Sequence, residues 1–589
     1  MLGEGKSLCD VSVSGLGRQA LRVNITRTIL GAASDTERDR IVGYIRGESA
    51  YNPDNWKLGD IFRSNPVTIG TPSSYYTDMR DSNNAFATFR TNHPRTSDNE
   101  QRIVLLGAND GQLHAFKTAD GAEAWSFIPG NFLPKLKNIA HSSHPTGLSH
   151  QYFVDGPVTA ADIWEGSGSG TSKNATEWQT LLVFAEGRGA GANLWSSSAA
   201  CDSGFNALYT STFSNYCGYW AFNITNTLSP VYAWRINPTS AQAPYLGEPW
   251  SKMAIGRVQI NGNEKWVGFI GGGFNAANCA GGGACDARGK GFYVVDLSNG
   301  SILWSYNRAN DSTMNYSLPA TPAVVDEDND GFIDTAYIGD LGGNMWRFTF
   351  CAHMDGSSCN TANWNGGFLY QSSTGTIRPI YSMTSVAEDA NGILWVYWGT
   401  GDKTDPTAVN ANVQEKFYAV KDQRGASLTV SNLVDVTSGT YSDSSSHHGW
   451  YITLPGSGEK VLAEPTVFGG VTYFTSYTPA QGNNPCNQAG TSTLYGVNYI
   501  TSAGILPSQT PSPPPPQPPN PPVRSMEIGL GIPTAPVVSF KPLGAMPPDI
   551  YVTVSGGRGT DVSTERVNFN PPTVNKRTNI LSWKDRRVR

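Results

Sequence analysis

The sequence predicts an all-β chain, a modified seven-bladed β-propeller with long loop insertions and a short helical and strand-like N-terminal extension. Three observations carry that expectation. Only 15% of the 589 residues are charged, against about 25% in an ordinary soluble chain, while 64 are Gly and 37 are Pro. Such a balance suits many short strands and turns, not long solvated helices. A pattern of short apolar strand, second strand ending in Gly-rich turn residues, and third strand with an aromatic recurs seven times. Each copy is too small a sheet to bury both of its faces alone, so the copies must stack radially.

In chain order, residues 1–60 form the extension, read as the remnant of a longer N-terminal region. They hold the strand-like LRVNIT and one helix candidate, SDTERDRIVGYIRG, where Ser34 or Asp35 can cap, Glu37 supports the first turn and Gly47 stops it. Blades one to six occupy 61–506. Blade one is SNPVTIG from Ser64, IVLLGANDG from Ile103 and QLHAFKTADGAEAWSFIP; blade two is DGPVTAADIW from Asp155, TLLVFAEGRG from Thr180 and YWAFNITN. Blade three is SKMAIGRVQI from Ser251, KWVGFIGGGF from Lys265 and GFYVVDLSNGSILWSY.

Blade four runs from Ala320 through ATPAVVDEDNDGFIDTAYIGDLGGNMWRFTF, and blade five is YSMTSVAED from Tyr381, ILWVYWGTGD and KFYAVKD. Blade six is VLAEPTVFGGVTYFTSYTP from Val461 and TLYGVNY. Starts about 60 to 95 residues apart are too long for WD40 units, so insertions decorate the blades. The endings ADGAEAW (Ala119–Trp125) and LSNGSILW (Leu297–Trp304) match quinoprotein-type blades, whose Trp packs between neighbours as core. Residues 507–525 are a proline-rich spacer of polyproline II type. Residues 526–589 hold the closing strands, PTAPVVSF and DIYVTVSGG, and a basic tail.

The eight cysteines include three local couples, 201/217, 279/285 and 351/359, each bracketing a Gly/Ser/Asn-rich loop. That spacing favours disulfides made in an oxidising compartment over zinc, for which no C-x2-C pair is present. Cys9 and Cys486 remain open. The opening residues show no signal peptide, which leaves a cytosolic protein or part of a longer exported one, and the cysteines favour the second. A net charge of −6 gives no footprint for nucleic acid, and no run of about 18 apolar residues predicts a transmembrane helix.

One segment carries sharp chemistry. Between the first two strands of blade four lies Asp326-Glu-Asp328-Asn-Asp330-Gly331-Phe332-Ile333-Asp334. Carboxylates at positions 1, 3 and 5, Gly at 6, a backbone carbonyl at 7 and a carboxylate at 9 form an EF-hand-type calcium loop. Alternate residues of a tightly coiled loop converge on one hard cation, and four acids this close repel one another without it. Position 12 is Tyr337 rather than Glu, so Asp334 must close the cage. His141, His144 and His150 cluster in a polar loop without a carboxylate at ligand spacing, and His447–His448 read as surface residues. No nucleophile elbow, Walker loop or catalytic carboxylate pair is present, which points away from an enzyme.

The stretch VDEDNDGFIDTAYIGDLGGNMWRF resembles the PilC/PilY proteins of type IV pili. So do LGDIFRSNPV, LLGANDGQLHAF, WGTGD, EPTVFGGVTYFTSYTP and the closing RTNILSWKDRR. The resemblance implies a modified β-propeller and an exported factor at the outer membrane, cell surface or pilus tip. It also implies a role in pilus assembly that opposes retraction and supports twitching motility and adhesion. Its calcium ligands would fall on Asp326, Asp328, Asp330, the Phe332 carbonyl and Asp334. Implied partners are minor pilins of the pilus tip, with the outer-membrane secretin or a host or abiotic surface beyond them. The large N-terminal adhesive region of that family has no counterpart here, and the proline-rich insert departs from it. Two competing readings use the same ring: a quinone-dependent periplasmic dehydrogenase, which quinone-dependent activity would reveal, and a glycan-binding adhesin, which a glycan array would reveal.

Overall fold

A computed structural model describes residues 25–141, 150–190, 218–281, 285–351, 359–373, 375–410, 412–425, 427–444, 446–481, 489–508, 520–539, 549–555 and, as backbone, 562–568. Cys9, Cys201, Cys217, Cys486, His144, most of LRVNIT, prolines 511–519 and the basic tail lie outside them. The described residues divide into two compact units, the first holding those within 25–317 and 359–363, the second those within 318–351 and 364–568.

In the first unit the helix expected near residue 35 is present as α1 (Asp35–Ile45). Ser34 caps it, its hydroxyl accepting the Glu37 N–H at 3.1 Å, while Glu37 accepts the Ala33 N–H at 2.7 Å. A Cβ at Gly43 would lie 2.2 Å from the Tyr51 ring, so the helix can approach Tyr51 only with glycine there. A second helix, α2 (Ala85–Asn92), was not expected from the sequence. Phe86 and Phe89 on α2 are buried against Trp164 and Trp178.

Three antiparallel sheets follow. The first is β1 (Val67–Ile69), β2 (Ile103–Gly107), β3 (Leu113–Lys117) and β4 (Glu123–Phe127). The second is β5 (Val158–Trp164), β6 (Trp178–Ala185), β7 (Tyr219–Asn223) and β8 (Val231–Arg235). The third is β9 (Ala254–Ile260), β10 (Asn263–Gly271), β11 (Gly291–Asp296) and β12 (Ile302–Asn307). Each is an up-and-down meander in chain order, as the repeat predicts.

The second unit holds four more. The fourth sheet is β13 (Ala323–Val325), β14 (Thr335–Gly339), β15 (Met345–Thr349) and β16 (Asn365–Tyr370). The fifth is β17 (Ser385–Glu388), β18 (Leu394–Gly399), β19 (Lys416–Asp422), β20 (Val434–Asp435) and β21 (Gly449–Thr453), with β20 added in parallel at the outer edge. The sixth is β22 (Thr466–Phe468), β23 (Val471–Thr478), β24 (Thr491–Asn498) and β25 (Ser525–Leu530). The seventh is β26 (Val537–Ser539), β27 (Asp549–Ser555) and β28 (Val562–Asn568).

The strand β25 lies beyond the proline-rich stretch yet pairs with β24, Ser492 opposite Gly529. That stretch therefore interrupts the sixth sheet and does not separate it from the seventh, so the expected boundary at 525/526 falls at the start of a strand of blade six. Leu506 and Val523 pair by two backbone hydrogen bonds, 2.9 and 2.8 Å, and close the excursion at its base.

Middle strands read as unbroken apolar runs because both faces are covered. Every residue of β14, β18 and β11 is buried, whereas five of the six residues of β12 are half-buried. Aromatic contacts join successive sheets within the second unit, as where Phe417 of β19 stacks on Phe474 of β23 at 3.8 Å.

Tryptophan indoles add a directional lock. Trp125 donates to the Thr227 carbonyl at 2.8 Å, Trp234 to Leu297 at 2.6 Å and Trp450 to Ile500 at 2.7 Å, each carbonyl lying in a turn of the next sheet. The role expected of Trp125 thus holds. Trp304 is only half-buried and packs on Phe292 and Tyr306 of its own sheet. Trp234→Phe should keep the ring packing but orphan a buried carbonyl, a loss of about 1–3 kcal/mol. Equilibrium urea unfolding measures it, and a change below about 0.3 kcal/mol would deny the lock.

Cys279 and Cys285 are joined in a disulfide, and Cys351 and Cys359 are disulfide-bonded as well, in keeping with the local couples expected from the sequence.

Candidate metal centre

The acidic segment forms the connection between β13 and β14, two strands that pair directly, Val325 opposite Thr335. Nine residues must therefore coil over a gap that one antiparallel step closes. Asn329 at φ +61° and Gly331 at φ +94° provide the left-handed turns this requires.

Local hydrogen bonds shape the coil. The Gly331 N–H donates to Asp326 at 2.8 Å, the Asp330 N–H to Asp328 at 3.1 Å and the Phe332 N–H to Asp330 at 2.8 Å. At the base the Glu327 N–H donates to the Asp334 carboxylate at 2.7 Å, and the Asp334 N–H donates to the Val325 carbonyl at 2.9 Å.

Carboxylate oxygens of Asp326, Asp328 and Asp334 converge within 4.8 Å of one another, the one such group of potential metal ligands among the described residues. Their burial is graded: Asp328 is exposed, Asp326 half-buried and Asp334 buried. Asp330 does not join the triad; its carboxylate caps the Phe332 N–H. Phe332 is buried, and Tyr337, at the twelfth position, donates its hydroxyl to Asp422 at 2.6 Å, away from the loop.

The electrostatics are unfavourable for three bare anions. Burial, then the charges of Asp328, Glu327 and Asp326, push the Asp334 carboxyl up to about 7. Burial and the charges of Asp330 and Asp328 raise Asp326 in the same direction. Asp326 Oδ1 is buried without a hydrogen-bond partner in the protein. A buried carboxylate oxygen without a donor is costly. An all-oxygen, acid-rich set of this kind suits a hard divalent cation, so the residues present fit calcium.

Glu327 takes no part in the triad. Its carboxylate accepts from the Thr335 hydroxyl and pairs with Arg424, which lies just past β19 in the fifth sheet. Arg424 also donates to Thr335 Oγ1 at 3.1 Å. Sequence reading missed this partner, because nothing local links positions 327 and 424.

The other sequence candidates are dispersed. His141 contacts the Asn138 carbonyl at 2.8 Å, while His150 pairs with Asp60 at 2.9 Å, a carboxylate ninety residues earlier. The expected isolation of this histidine from carboxylates therefore does not hold, because tertiary folding supplies one. His447 contacts Ser444 at 3.0 Å, and both His447 and His448 are half-buried, not fully on the surface. Asp340 in the GDLGGNMW turn is fully buried, yet the N–H groups of Gly342, Asn344 and the Trp346 indole satisfy it, so it is a structural turn former.

Meandering sheets in series, indole locks and an acid-lined loop over one hairpin define a β-propeller with a candidate cation site. Residues 237–437, which include that loop, match the family model described as the PilY1 beta-propeller domain. Over that segment the chain is similar to the PilC/PilY family. It is 25% identical over 540 residues to the type IV pilus biogenesis factor PilY1 of Pseudomonas aeruginosa strain PAK, covering 80% of this chain and 41% of that protein. A PilY1 homolog of Xylella fastidiosa is 26% identical over 508 residues, covering 81% and 36% respectively. The chain thus spans about two fifths of the length of these relatives. The crystal structure of the Pseudomonas aeruginosa PilY1 C-terminal domain superposes with a TM-score of 0.58 at 21% identity, over 86% of this chain and 99% of that domain, a likeness of fold.

Proposed function

We propose that this chain is the calcium-binding propeller of a type IV pilus biogenesis factor. It promotes pilus extension, opposes retraction, and so supports twitching motility and surface adhesion. The observation that carries the cation reading is the convergence of three carboxylates around a buried oxygen of Asp326 that has no protein donor. The relatives named as pilus biogenesis factors support the pilus reading.

Asp326, Asp328 and Asp334 hold the ion, with Asp330 and the Phe332 carbonyl completing its shell. The ion supplies charge neutralisation and cross-links the two ends of the loop. Glu327 stays outside the cage and leaves the ligands to the alternate positions. An ion that binds one loop arrangement better than another shifts the population toward it. The loop surface so ordered docks minor pilins at the pilus tip of an exported, cell-surface protein, and the propeller works by binding, not catalysis.

Calorimetric calcium titration of the chelator-stripped chain beside Asp328→Ala tests this. Asp328 is exposed and makes one local hydrogen bond, so its loss spares the fold. One saturable site, weakened at least about tenfold in the variant, is the expected result. A folded wild-type chain that takes up no calcium would refute the cation reading and leave the pilus reading to stand on kinship. Calcium-dependent capture of minor pilins from the same organism then tests the partner.

A further inference from the structure

We propose that Arg424, in the turn after β19 of the fifth sheet, is the positioning residue that holds the fourth-sheet cation loop in its binding shape. This inference rests on the cation reading above. Arg424 grips the loop at both ends. One guanidinium nitrogen pairs with Glu327, the residue after the first ligand, and another donates at 3.1 Å to Thr335, the residue after the last. Thr335 in turn donates to Glu327, so the three side chains close a triangle behind the ligands.

The platform beneath is cross-linked by hydrogen bonds. The Arg424 N–H donates to Asp422 at 2.9 Å, and Asp422 accepts from Tyr337 of β14 at 2.6 Å and Arg347 of β15 at 2.5 Å. Arg424 itself sits at φ +58°, a conformation a residue with a Cβ keeps only where its surroundings dictate it. Groups behind metal ligands orient them, and their loss commonly lowers metal affinity 10–100-fold. The fifth sheet thereby takes part in a site whose ligands all belong to the fourth.

Charge and positioning predict opposite signs here. Deleting a cation beside an acidic loop would by Coulomb's law tighten calcium binding. Weaker binding in Arg424→Gln therefore isolates the positioning effect.

The experiment compares wild type, Arg424→Gln, Arg424→Lys and Asp328→Ala of the full chain by calcium calorimetry and by Tb3+ luminescence lifetimes in H2O and D2O, which count waters on the bound ion. Arg424→Gln should bind about tenfold more weakly and carry one more water. Arg424→Lys, with one point charge in place of a fork, should fall between the two. Unchanged or tighter binding in Arg424→Gln with the wild-type water count overturns the inference while the site itself stands. Absence of saturable binding in the wild type overturns the cation reading and this inference together.

Discussion

Calcium affinity is expected to fall about 100-fold when the pH is lowered from 8 to 5. Asp334 must be ionised to bind a cation, and its carboxyl is pushed up to about 7. A ligand of that pKa is about 90% ionised at pH 8 and about 1% at pH 5, and protons compete with metal tenfold per unit below the pKa. Asp326 is raised in the same direction and adds to the slope.

In chelator the sign for folding is the reverse. The folded loop binds its proton more tightly than the unfolded chain, so the stability contributed by protonation is present below the ordinary carboxylate range and lost as pH rises through about 7. On the proposed cation reading, proton and calcium are alternative ways to neutralise the same buried group. Calorimetry at pH 5, 6, 7 and 8 gives the slope, and Asp334→Asn should flatten it while removing most of the affinity. Saturable binding of equal strength at pH 5 and pH 8 would show that Asp334 is no ligand.

Lys173→Met is expected to destabilise the first unit by about 3–5 kcal/mol, the cost of stripping the partner from buried charges. The Lys173 side chain is fully buried, its ammonium 2.5 Å from Asp78 and 2.6 Å from Glu264. Arg257 reaches the same two carboxylates at 2.9 and 3.3 Å, and the Trp164 and Trp178 rings face the lysine. The network ties the insertion between β1 and β2 to the loop between β5 and β6 and to the β9–β10 hairpin. Without the lysine, the two buried carboxylates keep only Arg257 between them, with Arg80 at 3.9 Å from Glu264. A control, Lys117→Met, removes the half-buried partner of the exposed Glu100, a surface class of pair worth about 0–1 kcal/mol. Denaturant unfolding with hydrogen exchange in the first unit separates the two, and equal, small effects would assign the buried network no structural role.

The acidic loop was legible because its carboxylate pattern is local. Acids at alternate positions around Gly331 are read without knowledge of anything distant. The same holds for the Ser34 cap, the 279/285 disulfide and the seven short strand repeats, each written within a few dozen residues. The proline stretch misled at one point, because which sheet recruits the strand after an interruption is set by the open edge of β24 and not by the residues between.

Sequence by itself therefore determined the strand repeat, the local caps and cross-links, and the candidate ligands at 326, 328, 330, 332 and 334. Tertiary structure alone decided that Asp330 stands apart from the triad and that Asp334 is buried deeply enough to hold its proton near neutral pH. It alone brought Arg424 to Glu327 and gathered Asp78, Lys173, Arg257 and Glu264 into one buried network. The division follows from range. Turn and ligand geometry depends on neighbours along the chain, whereas burial and ion pairing depend on which sheets pack together, and no local pattern encodes that.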